Sequence, residues 1–537
     1  MIIAPPPGIM LGYPPVSPKP VWTYGFNVRF RLGMIETIGL FGPVRNVAGD
    51  RITLPGASLY RKVFTTPSAA QGQVIIAAHD DVQLMDYDPA STPATGTRWR
   101  TTPLTPAGLP PAGDVISNPS AATVEIPPVW WFDDQDDLVV GCRANVNGEP
   151  CYAWDRDRTN DFVPLANSPT GAVGGGILNR ILVLIGCTSF TDPDPQRFMT
   201  IRWSDRFNFE EWTPSDINLS GEVPLEGGSR IVGGGIVGFG VVAWTDKRMA
   251  LLTETFDPDS VFERRYIDGG RGLMANNAWC EADGVVYWYD ESRVLNVYDG
   301  GRPRQIPNPL KYASIERLNQ SSLPRAYMVP NPEYGEIILH YPDAGSEECD
   351  TQLVYNYLED AWSFWRLERS GWHPRVGVIP NIGVNELGEV LFHDLDTGLP
   401  DAYIAGPPNI PWPVSAAKSA PDVADVDPTE FLFGTNLITT EEVTDQVWRA
   451  TRMMLNYLPA PADGADDFFT VTLTGYGKAQ VETTLLAQDV QNFANGDTAH
   501  DFRVGGKALQ ISVSATDIKT VYRFAQTSVT EGQGGSR

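Results

Sequence analysis

The sequence predicts an all-β chain: a β-propeller of six or seven blade-like units on an antiparallel β platform formed by both chain ends. Three observations lead there. Glycine (51) and proline (45) make up about 18 % of the 537 residues, where roughly 12 % is usual. So many turn formers disfavour a helical bundle and favour short strands. Three Trp-x-Asp tripeptides, Trp203-Ser204-Asp205, Trp244-Thr245-Asp246 and Trp288-Tyr289-Asp290, recur at spacings of 41 and 44 residues. A looser Ala153-Trp154-Asp155 stands 49 residues before the first. A period of about 40–50 residues is that of a four-stranded propeller blade. Near both ends, apolar and polar residues alternate with the period of a half-buried strand.

In chain order, residues 1–20 are an extended Pro-rich arm. Phe26, Val28, Phe30 and Leu32 then alternate with Asn27, Arg29 and Arg31, Gly33 breaks the run, and 35–40 returns as the second strand of a hairpin. Residues 1–50 are expected to join the platform, because chain ends often meet. The propeller is expected over 51–405. Candidate blades run over 74–88, 130–154, 177–212, 231–266, 275–306 and 326–365, with 383–404 completing the ring. Asn147-Gly148 supplies hairpin-turn chemistry in the second. Each small twisted sheet has two apolar faces, so neighbouring sheets stack around an axis. The expected blade-turn residues are Trp203, Asp205, Trp212, Trp244, Asp246, Trp288, Asp290 and Trp362. In this scheme the Trp packs between sheets and the Asp accepts backbone N–H bonds in the following turn. Trp244 and Trp288 close a second strand and Trp203 a third, so the repeat is approximate. Residues 406–435, rich in Pro, Ala and Asp, read as a linker. In 436–537, Phe469, Val471 and Leu473 alternate with threonines, and Leu509, Ile511 and Val513 with Gln510, Ser512 and Ser514. This is the C-terminal platform domain, with 530–537 expected to fray.

Aromatic residues form 10 % of the chain, 15 of them Trp, which excludes a disordered protein. The net charge of −26 opposes wrapping nucleic acid, which needs a basic footprint, and opposes binding an anionic membrane surface. Of the 40 basic residues 8 are Lys and the rest Arg, the better partner for carboxylates at subunit contacts. The five cysteines, Cys142, Cys151, Cys187, Cys280 and Cys349, have no zinc or redox spacing and read as buried free thiols made in a reducing compartment. The N-terminus lacks signal-peptide character, and no apolar run reaches the roughly 18 residues of a membrane span.

Several constellations resemble chemical sites. Ser204-Asp205 with Asn208, Glu210, Glu211 and Trp212 has the look of an Asp-box, which in glycan-cleaving propellers accompanies catalytic carboxylates. Its structural reading is a hairpin capped by the Asp over the Trp. The run from Asp155 to Asp161 has carboxylates at alternate positions, as a calcium loop does, but has Asn at position six, Ala166 at position twelve and two arginines inside. It reads as a solvated turn. Asp133-Asp134-Gln135-Asp136-Asp137 reads as an exposed acidic loop. Gly174-Gly175-Gly176 and Gly233-Gly234-Gly235 lack the Gly-Lys-Ser/Thr of a phosphate loop and mark tight turns or close backbone approach near the axis. The histidines are scattered, and no Gly-x-Ser-x-Gly occurs. No catalytic, cofactor or metal residues are assigned.

Arg202-Trp203-Ser204-Asp205, Glu211-Trp212-Thr213-Pro214, the run from Gly227 to Gly234 and Ala243-Trp244-Thr245-Asp246 together resemble the tail hub or nozzle proteins of short-tailed bacteriophages (podoviruses), also called packaged-DNA stabilisation proteins. The likeness continues through Gly284-Val285-Val286-Tyr287-Trp288, Val297-Tyr298-Asp299-Gly300, Arg304-Gln305-Ile306-Pro307, the run from Val354 to Tyr357 and Ala361-Trp362-Ser363. It covers roughly residues 200–365. The opening Asn27-Val28-Arg29-Phe30-Arg31 with Ile38-Gly39 also looks like the family's hairpin, whereas 1–20 and 407–428 have no counterpart. The resemblance implies a propeller on a β platform and a homo-hexamer around the tail axis. It implies an adaptor and portal ring above, and tail fibres or spikes outside. It also implies genomic DNA passing through the lumen without specific binding, possible host-surface contact at the tip, and no catalytic residue or cofactor. The expected location is the virion tail, after synthesis in the host cytoplasm. The rival expectation is a carbohydrate-active or carbohydrate-binding propeller acting on host surface glycans.

Overall fold

The structure is a computed structural model. It describes residues 2–3, 6–10, 16–17, 21–55, 59–66, 73–87, 99–107, 109, 129–144, 149–191, 199–257, 260–375 and 381–395, and from 429 onward Tyr457–Pro459 and the strands named below.

Among the described residues, seven four-stranded antiparallel units follow one another. Blade 1 comprises Tyr60–Thr65, Val74–Ala78, Val82–Tyr87 and Trp99–Pro103. Blade 2 comprises Val129–Gln135, Leu138–Ala144, Tyr152–Trp154 and Val163–Pro164. Blade 3 comprises Gly174–Leu178, Ile181–Cys187, Thr200–Trp203 and Gly221–Pro224. Blade 4 comprises Ile231–Val237, Gly240–Thr245, Arg248–Asp257 and Ser260–Arg271. Blade 5 comprises Trp279–Ala282, Val285–Tyr289, Leu295–Tyr298 and Arg304–Ile306, and blade 6 Tyr327–Asn331, Glu336–Tyr341, Thr351–Asn356 and Ala361–Arg366. Blade 7 takes three strands from one stretch, Gly371–His373, Ile382–Val384 and Val390–Leu395, and its fourth, Leu40–Pro43, from near the N-terminus. The described residues therefore form a seven-bladed β-propeller whose last blade is closed by an early strand.

That closure corrects the expectation that all of 1–50 belongs to the platform. Leu40–Pro43 pairs with Val390–Leu395 in the register Phe392↔Gly42 and Leu391↔Pro43. Phe41, nearly fully buried, packs edge-on against His393 at 4.7 Å. An open outer edge on blade 7 would expose unpaired N–H and C=O groups, and the borrowed strand covers them.

Strands from both chain ends build the platform. Ile2–Ile3 pairs with Thr527–Gln533, which also pairs with Trp448–Met454, itself paired to Ala499–Gly506. Trp22–Phe26 pairs with Thr429–Thr435, and this with Ala508–Ile518, which joins Phe468–Tyr476 and then Leu485–Ala494. The Val28–Arg31/Met34–Thr37 hairpin pairs with Tyr522–Phe524. Two further expectations need correction. The end of the 406–435 linker is a platform strand, because Phe431 and Phe433 bury in the core, while 406–428 lies outside the described residues. Of the 530–537 expected to fray, 530–533 pair with Trp448–Met454, and 534–537 lie outside the described residues. The arm likewise contributes Ile2–Ile3, Val16–Ser17 (paired with Leu437–Ile438) and a bridge from Ile9 to Trp22. No helix among the described residues is long and apolar enough to cross a membrane.

Candidate functional site

Two places gather polar chemistry: the propeller axis, and the seam between propeller and platform.

The seven inner strands surround a cavity of about 700 Å³ to which each contributes. Close packing at the axis explains the glycine runs. The inner strands of blades 3 and 4 run parallel and touch at Gly175↔Gly235. A Cβ at Gly174 would stand 2.3 Å from the Gly234 carbonyl oxygen, and one at Gly234 2.4 Å from that of Val242. Trp131 lies over Gly175 and Trp279 over Gly235, each occupying the space a Cβ would need.

Asp133 and Glu281 project into this cavity from blades 2 and 5. Asp133 Oδ2 accepts the Ile177 N–H of blade 3 at 2.7 Å, and its Oδ1 the Asp134 N–H at 2.9 Å. Glu281 accepts the Gly238 N–H of blade 4 at 3.1 and 3.2 Å. Each carboxylate thus satisfies a backbone donor of the neighbouring blade. Burial pushes the Asp133 carboxyl up to about 6, against the pull of these two N–H bonds. Asp134, in turn, pairs with Arg156. The acidic loop expected over 133–137 is therefore half strand: only Asp136 and Asp137 form the exposed turn. The alternation of residue types could not show that the strand runs on through two aspartates.

Lys62 of blade 1 lines the same cavity. Burial lowers its amine to about 8. Burial, reinforced by Lys62, lowers His373 to about 4. No motif in the sequence marks Lys62; only the axis makes it a candidate.

The predicted blade-turn residues fall in several blades and do not converge on one site. Trp203 closes the third strand of blade 3 and packs on Phe262 of blade 4 at 5.0 Å, with its Nε1–H on the Leu219 carbonyl at 2.7 Å. Trp244 lies between Trp279 at 5.2 Å and Trp288 at 5.8 Å, joining blades 4 and 5. Trp212 donates to the Phe209 carbonyl at 2.7 Å, and Trp362 to that of Pro307 at 2.9 Å. Of the aspartates, Asp290 caps its own turn, accepting the N–H groups of Ser292 at 2.9 Å and Val294 at 3.1 Å. Asp246 instead reaches back to Ser229 N–H at 2.7 Å, while Thr245 caps the turn. Asp205 accepts Leu219 N–H at 2.8 Å across its long loop. The Asp-box lookalike is thus a loop tied across by Asp205 rather than a turn capped by it. In the calcium-loop lookalike, Asp155 and Asp157 are engaged with Asp157, Thr159 and Asn160 of their own turn. All five cysteines are buried and free, and burial pushes Cys151 and Cys187 up to about 12.

At the seam, the platform docks on the outer strand of blade 6. Asn27 N–H donates to the Phe364 carbonyl at 2.9 Å and Ile9 N–H to that of Trp362 at 3.0 Å. Trp365 Nε1–H donates to the Val28 carbonyl at 2.8 Å. Beneath lies an ion pair, Arg29 to Glu336 at 3.2 Å, with both side chains 1 % exposed. The guanidinium also rests 3.7 Å from the centre of the Tyr334 ring. The apolar core runs unbroken from blades 4–6 into the platform.

No family model matches the chain, and no curated protein matches it. Among solved structures, the chain is similar to the computationally designed Ika8 protein, with 11% identity and a TM-score of 0.35, covering 64% of this chain and 98% of that one. It is also similar to AztD from Citrobacter koseri in two structures, one described as apo, at 10% and 11% identity and a TM-score of 0.30 in each, covering 64% of this chain and 94% of that one.

Proposed function

We propose that the chain is a tail hub or nozzle subunit of a short-tailed bacteriophage. It is a structural virion protein whose six-copy ring closes the distal tail channel, retains the packaged DNA and conducts it during ejection. The observation that carries this reading is the motif run over residues 200–365. It occupies blades 3–6, and blade 6 is the one that receives the platform. A propeller joined to a platform by a buried ion pair and a continuous core suits a subunit that must transmit load between neighbouring rings. In this reading an adaptor and portal ring sits above, fibres or spikes attach outside, and the tip meets the host surface.

The charge of −26 then has a use. A tube through which DNA slides must not grip phosphate; an acidic wall repels it, whereas basic rings would slow passage. The test is electron microscopy of particles carrying this chain, with the mass of the isolated assembly. Six copies of the 58.9 kDa chain, about 350 kDa, at the distal end of a channel with an acidic wall are expected. A monomer on the particle, or a predominantly basic channel wall, would overturn the reading. Turnover of host-envelope glycans by the isolated chain would favour a carbohydrate-active propeller instead.

A further inference from the structure

The axial cavity holds a cation that the fold leaves without a counter-ion. Lys62 has no carboxylate within ion-pairing distance among the described residues. Its neighbour Arg61 is committed to Glu348 at 2.6 Å, and that carboxylate also takes Arg325 at 2.8 Å. His373, the other basic group beside it, is held neutral. The two carboxylates of the cavity, Asp133 and Glu281, stand on other blades and are bonded to backbone N–H groups. One further donor of the lining is unused: the Asn277 side-chain amide makes no hydrogen bond among the described residues.

A half-buried ammonium without a partner is incompletely solvated, and an entering anion offsets that cost. We propose that the axial cavity binds a small organic monocarboxylate, with its carboxylate on Lys62 and with the Asn277 amide as a further donor to the bound molecule. One ammonium neutralises one charge. Asp133 and Glu281 repel a second, which disfavours dianions and phosphate. The indole walls of Trp131, Trp279 and Trp372 suit a ring or hydrocarbon body. A volume of about 700 Å³ lies within the range of small-molecule pockets. The proposal is independent of any ring assembly.

The test is calorimetric titration of the full chain at pH 7 with D-glucuronate and benzoate, beside their neutral counterparts D-glucose and benzamide, and inorganic phosphate. Saturable binding of at least one carboxylate is expected, with its neutral counterpart much weaker. Lys62→Gln and Lys62→Met are expected to weaken it about tenfold or more, the worth of one charge-assisted hydrogen bond. Their thermal midpoints should match or exceed that of the parent, because each removes a half-buried, unpaired charge. Asp133→Asn should leave carboxylate affinity unchanged or raise it. The proposal is overturned by absence of saturable carboxylate binding, by equal binding of the neutral counterparts, by tighter binding of phosphate, or by affinity that survives both Lys62 variants.

Discussion

Burial at the axis sets two side chains against each other in pH. The Asp133 carboxyl stands near 6 in the fold against 3.8 as its ordinary value, so the folded chain holds its proton more tightly. Its contribution is fully present below pH 3.8 and is lost as the pH rises through 6. Lys62 stands near 8 against 10.5, so its contribution is present above pH 10.5 and is lost as the pH falls through 8. Urea unfolding followed between pH 8 and 10.5 should therefore show a Lys62-dependent rise in stability with pH, and Lys62→Met should flatten it. Asp133→Asn should flatten the opposite slope between pH 4 and 6. At the seam, Arg29→Ala removes the cation from the buried Glu336 carboxylate, leaving the Asn331 amide at 3.0 Å as a donor to it, and should cost about 3–5 kcal/mol. Replacing both partners by apolar residues, Arg29→Met with Glu336→Leu, should cost much less. Equal losses for the single and double variants in urea would contradict this.

The same reasoning applies to whole strands. Leu40–Pro43 closes blade 7, and Phe41 anchors it between His393 and the Arg369 guanidinium, 4.9 Å from its ring. Phe41→Ala should cost about 3–5 kcal/mol. It should also raise amide exchange first in Val390–Leu395, the strand that loses its cover; exchange confined to the platform would argue against the closure. At the axis, Gly174→Ala forces a methyl into the Gly234 carbonyl and must push the inner strands of blades 3 and 4 away from each other. Overpacking of this kind costs about 1–3 kcal/mol, to be read as a fall in thermal midpoint. Most strands could be read in the sequence, because alternation and turn residues are local signals. The fourth strand of blade 7 could not, since its partner lies some 350 residues away.

At the scale of the molecule, composition alone gives a β-rich, turn-rich, acidic chain, and the Trp-x-Asp period gives its blades. Both are local signals in the chain, although only Asp290 finds its N–H donors in its own turn, while Asp205 and Asp246 take theirs 14 and 17 residues away. The count of seven is a closure property and follows from how many sheets fill a circle, with the last completed by whichever segment lies near. The axial site is of the same kind. Lys62, Asp133 and Glu281 are ordinary charged residues in the chain, separated by more than seventy positions at each step. They share one cavity only because seven inner strands converge. Fold class and blade period were thus settled by the sequence, through local periodicity. The ring's closure, the platform's seat on blade 6 and the unpaired cation at the axis were settled by tertiary structure, because each depends on burial between residues distant in sequence.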